Sequence, residues 1–342
     1  MMSECAYLLP DTRMASRRPL LDASNTVAIG DAGAVAPDAA ERILGECFGS
    51  GSFDDALLRA SFDLVDRLFA GEHPGYLGCD MPYHDLRHSL DTALVMARLV
   101  AGYQSAHGAS TGALTPEYGL LGVLLALLHD SGFIRRDSEA ALCGPQLMAE
   151  HESRSVEFAR SYLRTTSLAH CATLAPLILA TRLASDLDAL FDEHPGPAVT
   201  LGRMLGSADL VSQMADPCYL ERCYYHLYPE LVLAGKDRLR AADGNEQLLY
   251  RDALDLLRHT PRFYEGIVRQ RLDRDFGQMS RYLDVRFAGD APYAAAIRRN
   301  LDRSVRIVAD AGLELLQAEP ITTTRNLAAI YHAPPPRPPA AH

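Results

Sequence analysis

The feature that most constrains this chain is the run 120–128, apolar on every side and ending directly in His129-Asp130. A helix that is apolar all round has no face for water, so it belongs in the middle of a bundle. The run is also far short of the ~18–20 residues a membrane crossing needs. It predicts a buried helix that delivers an imidazole and a carboxylate to the interior. A carboxylate buried there without a partner is costly, and a cation is its simplest partner.

Apolar residues elsewhere recur at three- and four-residue spacing, with few alternating β-branched runs. Helices are expected over 53–69, 86–100, 119–128, 146–163, 172–191, 201–214, 217–228, 247–257, 261–287 and 293–317, with loops at 102–115 and 235–244. Neither a phosphate-binding glycine loop nor an internal repeat is visible. The expected fold class is all-α, a single multi-helix domain over 46–320. It is flanked by a flexible leader, 1–45, and a proline-rich tail, 321–342, which includes Pro334-Pro335-Pro336-Arg337-Pro338-Pro339.

The 342 residues are 48% hydrophobic and 23% charged, which excludes a disordered or fibrous chain. Against 44 acidic residues stand 33 basic ones, with no basic tract, so a nucleic-acid partner is disfavoured. The 7 cysteines are scattered without a C-x-x-C and read as reduced thiols. With no apolar signal segment behind Arg13, Arg17 and Arg18, the expected location is the cytoplasm, and no membrane partner is expected.

His84 and His88 stand four apart at the start of an expected helix, which puts both imidazoles on one face. Taken alone, they read more readily as ordinary core or surface histidines. Asp209 lies among Met204, Leu205, Leu210, Val211 and Met214, on or beside an apolar face, where a capping or surface aspartate is the plain reading. Taken together with His129-Asp130, two histidines and two aspartates on separate helices make a mixed nitrogen and oxygen set suited to a divalent transition ion.

The order His, His-Asp, Asp resembles the HD metal-dependent phosphohydrolase superfamily. Tyr83-His84-Asp85-Leu86-Arg87-His88-Ser89-Leu90-Asp91 looks like the Y-H-N-x-x-H-A-x-D signature of class I cyclic-nucleotide phosphodiesterases. Leu179-Ala180-Thr181 resembles their L-A-T-D, with Arg182 in place of the acid, and Ser207-Ala208-Asp209-Leu210 resembles their A-A-D-L. Ala149-Glu150-His151-Glu152-Ser153 is similar to their E-N-H-H segment, and His129-Asp130-Ser131-Gly132 looks more like bacterial HD proteins.

The resemblance implies an all-α domain with a buried metal site and two divalent ions drawn from Mn, Mg, Zn, Fe or Co. His88, His129, Asp130 and Asp209 would be ligands, with Asp130 also bridging and catalytic. His84 would be the general acid, kept charged by Asp85 or Asp91, and His151 and Glu150 would stand near the second ion. The substrate would be a small-molecule cyclic nucleotide, cAMP or cGMP, cut to the 5′-monophosphate. A purine-fixing glutamine has two candidates, Gln270 with Phe276 or Gln278 with Tyr282, and Arg154 is the arginine best placed for a phosphate. Other nucleotide phosphoesters or phosphoanhydrides, a silent nucleotide-binding domain, and a homodimer stay open.

Overall fold

The helices start where side chains can satisfy their first free amides. In the computed structural model, which describes residues 32–108, 110, 112–192, 194–240, 246–309 and 316, α1 (Ala32–Phe48) leads into α2 (Asp55–Ala70). Asp54 caps α2 by accepting from the Leu57 amide, and Gly71 ends it in the left-handed conformation, φ 78°. Asp85 does the same for α3 (Leu86–His107) by accepting from the His88 amide. Thr115 caps α4 (Pro116–Leu128), with Pro116 in the first turn, where a missing amide costs nothing.

Every residue from Gly119 to Leu128 in α4 is buried. Around it stand α1, α2, α3, α5 (His151–Leu163) and α7 (Gly196–Ala215), with α6 (Leu187–Phe191) between the last two. A 3₁₀ segment, Ala169–Thr181, also packs on α4. Beyond α7, α8 (Tyr219–Arg222) passes through a π-turn into α9 (Tyr228–Leu233). An antiparallel ribbon follows, β1 (Arg238–Arg240) on β2 (Glu246–Leu248), with Leu239 opposite Gln247. The chain then runs through α10 (Ala253–Phe263), α11 (Arg281–Arg286) and α12 (Pro292–Ala309). The fold is all-α apart from this ribbon, and among the described residues no helix is long and apolar enough to cross a membrane.

Several expected boundaries shift. The break at residue 45 falls inside α1, whose Ala36, Ala40, Ile43 and Leu44 are buried against the bundle, so this stretch is core and not leader. The tail 321–342 lies outside the described residues. The α3 helix continues past Gly102 to His107, because without a Cβ this residue admits the Tyr282 carbonyl at a close crossing with the α11 end. The expected helix at 247–257 begins only at Ala253, where Asp252 caps it, and the ribbon occupies the residues before. The expected helix at 261–287 is broken into π-turns and α11 by Gly277 and Gln278, both at positive φ.

Candidate metal centre

Three elements deliver the expected ligands to one point. Because Asp85 fixes the first turn of α3, His88 points inward, and Arg222 locks that turn by donating to the Asp85 carboxylate at 3.1 Å and to the Tyr83 carbonyl. The α4 end presents His129, whose Nδ1 donates to the Ala126 carbonyl at 2.7 Å, so that Nε2 faces inward. Asp130 follows in a 3₁₀ turn, Ser131–Phe133, held by the Ser131 hydroxyl on Leu128 O and by the Gly132 amide on Ser155. Asp209 arrives from mid-α7, its Oδ1 accepting from Gln213 at 2.6 Å.

The two Nε2 atoms of His88 and His129 are 3.2 Å apart. His88 Nε2 lies 3.4 Å from Asp130 Oδ2 and 3.2 Å from Asp209 Oδ1, and His129 Nε2 lies 3.3 and 3.6 Å from the same atoms. Donors each about 2.1 Å from a shared ion sit roughly 3.0–3.5 Å from their neighbours, so these spacings fit a coordination shell. Asp130 Oδ2 is buried without a hydrogen-bond partner, which is the atom an ion would satisfy. His88, His129 and Asp130 together form a buried group that can hold a metal ion, with one atom of each within 4.8 Å of the others.

Electrostatics agree with that demand for positive charge. Burial opposes ionisation of Asp130 and Asp209, yet the facing imidazoles, His129 foremost, outweigh it and hold both carboxyls well below the ordinary range. Two ionised carboxylates then share one buried point, and a cation or a proton on His129 must balance them.

Beside the cage, His84 Nδ1 sits 2.6 Å from Oε2 of Glu230, which is fully buried and whose Oε1 accepts from the Tyr83 and His84 amides. Burial pulls the His84 pKa down, but Glu230, together with Asp130 and Asp209, more than reverses this and the net shift is upward. Phe133 stacks against both His84, 4.9 Å away at 29°, and His151, 4.0 Å away at 12°, and the two imidazoles are themselves 6.4 Å apart. His151 opens α5, and its Nε2 lies 3.7 Å from the second oxygen of Asp130. Its Nδ1 is tied to the Met148 carbonyl, and burial lowers its pKa, so the neutral ring offers Nε2. His84, His88, Asp130, His151 and Asp209 all line one cavity of about 560 Å³, with His129 behind them.

Four expectations move. Glu150 is exposed and does not line the cavity; Glu152, one residue past His151, is buried there instead, bonded to Arg182 at 3.2 Å. Arg154 is spent on Glu139 and on the Gly132 and Ile134 carbonyls, so it braces the turn after Asp130 rather than facing the cavity. Gln278 and Gln270 are both exposed and absent from the cavity wall, because the broken helix points them elsewhere. The charge partner of His84 is Glu230, while Asp85 caps α3 and Asp91 pairs with Arg87 at 3.5 Å. Sequence reasoning missed Glu230, Phe133, Glu152 and Gln213. Of these, Phe133 lies three residues past Asp130, Gln213 four past Asp209 and Glu152 inside the His151 segment, whereas Glu230 is near no motif.

No protein-family model matches the chain, and no curated protein matches its sequence.

Proposed function

We propose that the chain is a cytoplasmic, HD-type, metal-dependent phosphodiesterase that hydrolyses 3′,5′-cyclic nucleotides to 5′-monophosphates. The observation that carries the reading is the nitrogen and oxygen cage of His88, His129, Asp130 and Asp209 opening onto the same cavity as the His84–Glu230 pair. The two oxygens of Asp130 face different partners, Oδ2 the histidine pair and Oδ1 His151, which suits a bridging role between two ions. Divalent ions held there would supply Lewis acidity toward the phosphoryl group and activation of water.

The chain's own residues supply the rest. Glu230 occupies Nδ1 of His84, so the opposite nitrogen carries the proton offered to the departing 3′ oxygen as the P–O bond breaks. Asp130, ionised and on the cavity wall, is the carboxylate that would orient an attacking water. Phe133 packs against both His84 and His151 and so helps fix their ring planes. Leu210, Met214, Tyr219, Leu256 and Phe263 form an apolar wall where a base can lie.

Arg182 at the cavity edge favours a second reading, a nucleotide with a terminal phosphate, since a guanidinium fork matches a phosphate's oxygens. A Mn²⁺-loaded panel separates the two. Turnover of cAMP or cGMP is expected. Hydrolysis confined to nucleoside monophosphates or triphosphates would replace the first reading with the second.

A further inference from the structure

We propose that Glu117, His170 and Cys171 form a second metal site, of zinc type, where α4 begins. One carboxylate oxygen, one ring nitrogen and the Cys171 sulfur lie within 4.8 Å of one another. His170 Nε2 is already 2.9 Å from Glu117 Oε1. A thiolate, an imidazole and a carboxylate are the donor types zinc takes together, and three protein donors leave a fourth position for water.

The placement suits an ion entering from solvent. Cys171 is buried and its backbone is fixed, its amide donating to the Leu168 carbonyl at 2.8 Å, so the sulfur is an anchored donor. His170 and Glu117 are exposed and can rotate to close on an ion without backbone movement. The donors come from two elements. Glu117 lies in the first turn of α4, which Thr115 and Pro116 hold in place, while His170 and Cys171 open the 3₁₀ segment Ala169–Thr181. An ion here would clamp these elements together at one end. At their other ends α4 carries His129-Asp130 and the 3₁₀ segment reaches Thr181, on the cavity wall. The clamp would therefore stiffen the frame of the candidate centre without touching it.

Cobalt distinguishes this site from the first, because the His88, His129, Asp130 and Asp209 cage has no sulfur donor. On adding Co²⁺ to the full chain, a thiolate-to-cobalt charge-transfer band in the near ultraviolet is expected, saturating at one ion per chain. Cys171→Ser removes it and Asp209→Ala leaves it. His170→Ala and Glu117→Gln, both at exposed side chains, weaken cobalt binding at this band by about tenfold or more, a loss already expected of outer-shell partners. The proposal is overturned if the wild-type chain gives no such band, if the band survives Cys171→Ser, or if neither exposed substitution weakens it.

Discussion

In the proposed reaction, His84 and Glu230 are the single side chains on which most depends. A general acid contributes on the order of 10²–10⁴ in rate, so His84→Ala is expected to lower kcat by that factor while metal content, read by elemental analysis, stays at the wild-type level. Glu230, with Asp130 and Asp209 behind it, lifts the His84 pKa above the ordinary histidine value against the effect of burial. The acid form is therefore present at low pH and lost as pH rises through that raised pKa, and any stability the pair adds is lost over the same window. Glu230→Gln keeps the shape and removes the charge. It should shift the alkaline fall of kcat to lower pH, and an unchanged profile would remove His84 as the titrating acid. The residues of the candidate cage stand out in the sequence because each sits inside a local pattern: a four-residue histidine step, a His-Asp after an apolar run, an aspartate on an apolar face. Glu230 had no such pattern. It reaches His84 across 146 residues of chain through the placement of α9, and only packing makes that pair.

Among the elements, the turn after α4 decides whether Asp130 is held in place. A Cβ on Gly132 would overlap the His151 carbonyl and crowd the Ser155 amide, so α5 and the Ser131–Phe133 turn could not pack as they do. Gly132→Ala should destabilise the fold by about 1–3 kcal/mol, the usual range for overpacking, in denaturant melts, and metal affinity should fall with it. Arg154 belongs to the same support. Its place on α5 was readable from periodicity, but its partners Glu139, Gly132 and Ile134 were not, so a phosphate ligand was expected where a brace exists. The long helix expected at 261–287 failed for a related reason. Its apolar spacing runs through Gly277, whose positive φ turns the chain. The α4 helix was legible over 119–128, where no polar residue interrupts 120–128, and Thr115-Pro116 starts it three residues earlier.

At the scale of the whole molecule, α1 is part of the bundle. Ile43 and Leu44 are almost fully buried, and each such side chain stabilises by about 1.5–3 kcal/mol. Removal of residues 1–48 should leave α3 and α4 with an exposed apolar flank and lower the Tm sharply; a truncated chain that melts like the full one would return this stretch to a leader. Composition hid the helix, because an Ala- and Asp-rich opening reads as weak periodicity until its alanines are seen against a neighbour. A divalent ion that binds only the folded chain should also raise the Tm with concentration. The most direct test of the central claim is hydrolysis of cAMP and cGMP by the Mn²⁺-loaded chain beside its Asp130→Asn variant. Turnover in the first and its loss in the second is the expected result; metal-loaded wild-type protein that leaves both nucleotides intact, or a variant as active as wild type, would contradict it.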